Sequence, residues 1–445
     1  MKKSTLTTLA LCAGAPLFAQ TPSVSVYGIL DAGVANVSNT LDFDSYHPVG
    51  VNPNPVKAVH SATGMFNGGI SQTRIGIKAS TDLVNGWKAI ATLESAINIP
   101  SGQVSNAALG IAQSKPVGTT AANYMTADSS ISGQLFNRGA FFGVSHPVYG
   151  TITMGRQMSL MLEAIPGYDA LQGAQLFTPI GFSGGYGGGG ATDNSRIDSA
   201  IKYRVKVGDF SIGALHKVSG AAGSPSARAA EQINVAYESG PFGVLVAYQS
   251  YNDAFVTGAG AAAGQLALTA QDTKSTWVAA RYKVGPVLIT GGYQSLQFSN
   301  PSNPADDLGT TSWYGQVVSS VAVTPYTIAG VEQDKKQNLW WLGACWDVTS
   351  DFSAAVSYYS LKQDDFSQGT YNPATLSNAK GPGTTKFISA LLDYKITKAF
   401  DAYLGFMNAK NADALASGMV AGSPGYVNGY SDSNTTIGLG IRYKF

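Results

Sequence analysis

The chain has 445 residues, with 28 basic and 27 acidic side chains, and only 12% of it is charged. That is half of the ~25% usual in water-soluble domains, whereas 52 glycines stand well above the ~7% norm. So even a balance excludes nucleic acid as a partner, and no apolar run reaches the ~20 residues of a membrane helix.

From the amino terminus, Lys2 and Lys3, the apolar stretch Leu6 to Leu17 and the small Ala19 read as a secretory signal over residues 1–19. Residues 20–445 then form a single domain. Cleavage removes Cys12 and leaves Cys345 alone, so the mature domain holds without an intrachain disulfide.

Alternating apolar and polar segments follow in pairs, each of about ten residues, the length of a tilted membrane strand. They are predicted at 23–36, 71–82, 87–98, 135–146, 150–157, 195–206, 209–219, 231–239, 241–252, 273–284, 286–298, 337–348, 351–364, 385–396, 399–411 and 434–445. Short connections such as Val84-Asn-Gly86, Val207-Gly-Asp209, Val284-Gly-Pro286 and Thr349-Ser-Asp351 carry the residues that tight turns require. They alternate with long ones, roughly 37–70, 99–134, 158–194, 220–230, 253–272, 299–336, 365–384 and 412–433, rich in Gly, Ser, Ala, Asn and Pro.

The last segment shows the pattern most plainly. Ile437, Leu439, Ile441, Tyr443 and Phe445 fall on one face; Thr436, Gly438, Gly440, Arg442 and Lys444 fall on the other. An exposed apolar edge of this kind invites aggregation in water. It suits a strand that closes a barrel with lipid outside and water inside. The fold class is therefore all-β: a transmembrane antiparallel barrel of about sixteen strands, wide enough for an aqueous channel.

Tyr recurs just before the short turns (Tyr203, Tyr237, Tyr282, Tyr394, Tyr443) and Phe just after them (Phe210, Phe242, Phe352, Phe400). These rings are expected to form an aromatic girdle at one membrane boundary. A charge facing lipid at mid-depth costs about 2–4 kcal/mol, so parity assigns charges to the lumen. Arg74 and Lys78 alternate with Ile75 and Ile77; Lys88, Thr92 and Glu94 share the inner face of their strand. Arg196, Asp198, Lys202 and Arg204 alternate with Ile197, Ile201 and Tyr203, and Arg281 and Lys283 with Ala280 and Tyr282. Arg156 is the exception, because its parity matches Ile152 and Met154 on the lipid side.

Four passages, "SVSVYGILDAGVANVSN", "SQTRIGIKASTDLVNGWKAIATLESAIN", "LFNRGAFFGVSHPVYGTITMGRQ" and the terminal "IGLGIRYKF", resemble the general porins of Gram-negative bacteria, especially the trimeric Burkholderia and Neisseria type. The resemblance implies an outer-membrane location, sixteen strands, a homotrimer and a third extracellular loop folded into the lumen. It implies further that Phe445 is read by the outer-membrane insertion machinery. It matches Arg156 in "TMGRQ" to a pore-lining arginine, and supplies Arg138 in "FNRGAFFG" and Arg196 in "NSRIDSAIKYR". With Arg74 these form an expected basic cluster, opposed by Glu163 and Asp169 of the loop at 158–194. A field across such an opening orients dipolar solutes and favours anions mildly.

The loop departs from the family in lacking a Pro-Glu-Phe-Gly tip and carrying the tract Gly184-Gly-Tyr-Gly-Gly-Gly-Gly190, which has no Lys-Ser/Thr after it to make a phosphate site. His47, His60, His146 and His216 have no metal-like spacing, and His60-Ser61 has no third catalytic partner, so neither cofactor nor enzyme is expected. Asp306-Asp307, Asp364-Asp365 and Asp432 read as solvated loop charge, near outer-membrane lipid and the counter-ions of lipopolysaccharide. The resulting expectation is a passive diffusion channel for small hydrophilic solutes. A substrate-specific channel, which needs a file of lumenal aromatics, and an adhesin with an incidental pore are the alternatives; the aromatics phase to the turns and outer face.

Overall fold

The computed structural model describes residues 22–40, 56–57, 59–100, 102–104, 135–180, 196–219, 223, 225–226, 229–252, 272–299, 312–313, 316–317, 334–365, 382–413, 429–430 and 432–445. The signal sequence, His47, the glycine tract at 184–190 and Asp306-Asp307 lie outside them.

Sixteen antiparallel strands make one closed sheet among the described residues. They are β1 (Ser23–Thr40), β2 (His60–Asn67 and Arg74–Asp82), β3 (Lys88–Asn98), β4 (Gly139–His146), β5 (Gly150–Met158), β6 (Arg196–Val207), β7 (Phe210–Lys217) and β8 (Ala230–Ser239). The second half comprises β9 (Phe242–Tyr251), β10 (Asp272–Val284), β11 (Val287–Ser299), β12 (Lys335–Asp347), β13 (Phe352–Gln363), β14 (Gly383–Lys395), β15 (Phe400–Asp413) and β16 (Ser433–Lys444). Each strand pairs with the next, and β16 pairs with β1 from Ile29↔Lys444 to Val37↔Thr436. Closure leaves no open edge, as hydrocarbon demands of every backbone N–H and C=O.

The seam has a specific end. Gly28 and Phe445 exchange two backbone hydrogen bonds (2.9 and 3.1 Å), and the Phe445 ring lies over Gly28 on the outer face. A Cβ at Gly28 would stand 2.4 Å from that ring and 2.9 Å from the Arg74 carbonyl oxygen. Gly139 and Gly143 belong to the other face: they alternate with Phe142, which is 62% exposed, and Gly143 pairs with the buried Thr153. Gly139 and Gly143 therefore do not share the outer face of Gly28.

Strand β2 differs from the sequence expectation. It begins at His60 inside the segment expected as a loop, and it breaks at 68–73. The cause is Asp31 on β1, whose fully buried carboxylate accepts the N–H groups of Gly69 (3.0 Å), Ile70 (3.1 Å) and Ser71 (2.7 Å) and the hydroxyl of Tyr403. Three backbone donors gathered on one carboxylate draw the turn off the wall into the lumen.

The aromatic girdle is present, and the register explains it. Phe210 faces Tyr237, Phe242 faces Tyr282, Phe352 faces Tyr394 and Phe400 faces Tyr443, each directly across a strand pair. Two of these pairs have ring centroids 4.9 and 6.4 Å apart. Cross-strand aromatic pairs stabilise a sheet by about 0.2–1 kcal/mol each. The remainder of the outer face is greasy, with Leu439 64% and Ile441 53% exposed.

The seam predicts its own failure. Gly28→Val should lower the fraction of chain that refolds into a heat-modifiable, detergent-resistant band on gels, whereas Val24→Ile, on the open outer face, should leave it unchanged. Equal yields for both would show that the ring over Gly28 does not govern closure.

Candidate pore constriction

The described part of the third loop, Ser159 to Ile180, lies inside the barrel. It opens with helix α1 (Leu160–Tyr168), capped by Ser159, whose hydroxyl accepts from the Leu162 N–H at 3.1 Å. Leu160 packs among Ile197, Ala200, Leu215 and Tyr251; Met161, Ile165 and Tyr168 join a buried cluster with Leu245, Trp277 and Trp341. Beyond the helix, Ala170, Leu171, Ala174, Leu176 and Phe177 pack against Tyr403, Leu391, Ala355 and Phe66. Polar links fasten the same path: Trp341 Nε1 donates to the Tyr168 carbonyl (2.8 Å), and the Leu176 N–H donates to the Gly69 carbonyl (2.9 Å). The described part of the loop thus runs along the wall from β6 round to β15, β1 and Phe66 of β2.

This lining corrects one expectation. Trp277, Trp341, Tyr359 and Phe387 point inward rather than to the turns or lipid, and all four are almost fully buried. Parity carried the signal: Trp341 alternates with Trp340, which is 45% exposed on the outer face. These rings serve as the loop's bed, so they present no file of aromatics to a solute.

Of the four arginines, Arg74 and Arg138 share a partner, Glu94, whereas Arg156 and Arg196 are held by different groups. Glu94 on β3 accepts from Arg138 Nε at 2.6 Å, stands 3.9 Å from Arg74 Nε and accepts the Tyr27 hydroxyl at 2.8 Å. Arg156 donates from Nε to the Asn137 carbonyl (2.8 Å) and from Nη1 to Asp198 (2.5 Å). Arg196 Nη2 reaches Gln72 Oε1 in the inward turn at 3.2 Å. Lys78 stands 4.4 Å over the Tyr27 ring.

A bulge resolves the parity conflict at Arg156. The pairs Gly155↔Ala200 and Gln157↔Ile197 enclose one residue on β5 and two on β6, with Gly155 at φ 125° and Ser199 at φ 53°. The positive φ at Gly155 breaks the alternation of β5, and Arg156 bonds the Asn137 carbonyl and Asp198 instead of facing lipid. The extra residue on β6 reverses Ile197, which was expected to face lipid and is instead fully buried beneath Leu160.

The acidic partners need two corrections. Glu163 does not oppose the four arginines; it bonds Lys202 Nζ at 2.5 Å and pairs with Arg204, both on β6, because one turn of α1 sets it directly over that strand. Asp169 is no constriction charge at all. It is 1% exposed and accepts the Tyr359 hydroxyl at 2.5 Å and the Gly173 N–H at 2.8 Å, so it pins the loop to β13. A carboxylate with wall donors within reach is drawn to them rather than left in open water. Arg281 on β10 bonds Glu238 (2.7 Å) and stands 5.6 Å from the Tyr168 ring. Below α1, Glu163, Arg204, Lys206 and Glu238 line a cavity of about 500 Å³.

Burial pushes Asp169 above the usual aspartate range, against the pull of its Tyr359 and backbone donors. Burial and the Glu238 carboxylate push Tyr168 up to about 12. A raised carboxyl favours the docked loop most below the ordinary aspartate value of about 3.9, and that contribution is lost as pH rises through the raised value. Asp169→Asn should remove this dependence, and Tyr359→Phe should loosen the loop by about 1–3 kcal/mol. Open-channel current noise as a function of pH reads both. A pH profile identical in parent and Asp169→Asn would exclude Asp169 from loop docking.

Comparison with known proteins agrees with this geometry. The family model described as Gram-negative porin matches residues 5–414. An outer membrane porin protein of Bordetella pertussis is 26% identical over 265 residues, covering 56% of this chain and 60% of that porin's length. Among solved structures, an anion-selective porin from Comamonas acidovorans superposes with TM-score 0.64 at 19% identity, over 95% of this chain and all of that one. OmpT of Vibrio cholerae in its trimer form gives 0.52 at 12% identity (95% and 99% covered), and Salmonella typhi OmpF complexed with daunomycin gives 0.54 at 17% (95% and 97%). At these identities the structures speak for the fold, and the family model speaks for descent: the chain is an outer-membrane β-barrel belonging to the Gram-negative porin family.

Proposed function

We propose that this protein is a passive diffusion channel for small hydrophilic solutes and ions, with a mild preference for anions. The observation that carries the reading is the excess of cationic side chains on the wall from β2 to β6. The described part of the third loop beds apolar side chains on β10–β15, while the segment from β2 to β6 carries Arg74 and Arg204, which keep exposed surface, and the buried Arg138, Arg156, Arg196 and Lys202, against Glu94, Asp198 and Glu163. An excess of fixed positive charge beside a narrow water path raises the local concentration of anions. The lumenal aromatics are buried under the loop, which disfavours a substrate-specific channel.

The arginines divide by exposure. Arg74 and Arg204 retain 24% and 41% of their side-chain surface and act on passing solute. Arg138 is 2% exposed against Glu94, so it holds the wall together and Arg138→Ala should cost stability more than selectivity. We propose, in addition, removal of residues 1–19 on export, a homotrimeric assembly and recognition of Phe445 during insertion. The comparison with a trimeric relative and the seam at Phe445 support the last two.

Planar-bilayer recording under a salt gradient tests the channel. The parent should conduct in groups of three steps with a reversal potential favouring anions. Arg74→Ala with Arg204→Ala should shift it toward cations, and Glu163→Gln, which frees Lys202 and Arg204, should shift it the other way. An unchanged reversal potential in both variants would remove the basic arc from the mechanism.

A further inference from the structure

The cavity beneath α1 owes its shape to the wall under it. Strand register sets Thr151, Arg204, Gly213 and Asn234 side by side across β5–β8. Nearer the short turns, Lys206, Ser211, Ala236 and Leu245 make the next row, across β6–β9. Glu163, Ala164, Gly167 and Tyr168 of the helix close the space from the other side. Between the two cations and Leu245 the wall side chains are small, so the helix spans them and about 500 Å³ stays open. That volume falls within the ~300–1,000 Å³ usual for small-molecule sites.

The charges around this cavity are unevenly matched. Lys202 holds Glu163 at 2.5 Å, and Arg281 holds Glu238 at 2.7 Å. Arg204 shares Glu163 with Lys202 and keeps 41% of its side-chain surface. Lys206 is exposed and, among the described residues, has no carboxylate within ion-pair distance. Two residues apart on one face, Arg204 and Lys206 start about 7 Å from each other along β6. Side chains of their length converge on a single carboxylate from that spacing.

The rest of the cavity is polar but not cationic. From β6 the floor crosses two strand spacings, about 10 Å, to β8. Ser211 and Asn234 offer a hydroxyl and an amide along it, and Glu238 an acceptor at its far end. An apolar guest would strip water from these groups without replacing their hydrogen bonds. A chain carrying hydroxyl groups replaces them.

We propose that this cavity is a binding site for a small polyhydroxylated carboxylate. The carboxylate lies on Arg204 and Lys206, and the hydroxyls reach Ser211, Asn234 and Glu238. Such an anion supplies the charge-assisted partner that the fold does not give Lys206. A solute in a conducting lumen must also leave, so the affinity is weak, of millimolar order. The inference rests on the channel reading for the solute's route, whereas binding is measured apart from conduction.

The test uses the full chain folded in neutral detergent, with gluconate as the probe and saturation-transfer NMR titration as the readout. The parent should bind gluconate at least tenfold more tightly than glucose, which lacks the charge, and than hexanoate, which lacks the hydroxyls. Lys206→Gln should weaken gluconate binding at least fivefold. Ala236→Phe, which fills the floor and leaves the charges in place, should do the same; if it fails to fold by heat-modifiable mobility, Ser211→Leu takes its place. Lys395→Gln, on β14 across the barrel, should bind as the parent does. Parent-like affinity in Lys206→Gln or in the filled variant, an equal loss in Lys395→Gln, or glucose or hexanoate binding as tightly as gluconate would overturn the proposal. A parent that conducts but does not bind gluconate also overturns it and leaves the channel reading standing; one that binds with this selectivity but does not conduct upholds the site and sinks the channel.

Discussion

Inside hydrocarbon there is no water to satisfy a backbone N–H or C=O, so a sheet in a membrane must meet itself. In this protein that requirement falls on the pairing of β16 with β1, sealed below by Gly28 and Phe445. The seam is also braced from within. Asp31 on β1 takes the Tyr403 hydroxyl from β15, across β16, and Arg442 on β16 bonds both Asp401 on β15 and Ser71 of the inward turn (2.7 Å to the latter). The first and last strands are therefore joined by lumenal side chains as well as by the ladder, and the polar groups that do this are tolerable only because the lumen is wet.

Closure with sixteen strands creates a second problem, an interior too wide for side chains to fill. The third loop meets it asymmetrically. Its apolar residues settle on inward-facing aromatics of β10–β15, while polar contacts at Asp169, Tyr168 and Leu176 keep its path fixed. The arginines Arg74, Arg138, Arg156 and Arg196 lie elsewhere, on the wall from β2 to β6. Apolar surface thus decides where the described part of the loop settles.

The outer surface is organised by the same solvent logic. Tyr–Phe pairs mark the boundary beside the short turns, apolar side chains fill the band, and lysines return where the strands emerge.

A period of two along the chain was enough to read the strands, their number, the girdle and the inward direction of Arg74, Lys78, Lys202 and Arg281, because side-chain alternation is a local property of extended backbone. It failed where the alternation is broken by something distant. The bulge between β5 and β6 reversed Arg156 and Ile197, and the break in β2 depends on Asp31, nearly forty residues earlier in the chain. Glu163 and Asp169 were recognisable as loop acids, but their partners, Lys202 with Arg204 and Tyr359, come from strands that only closure brings beneath the loop. The sequence by itself determined that this is a lipid-coated, water-filled barrel; only the tertiary structure decided which charges face the water, since that depends on which wall the loop covers.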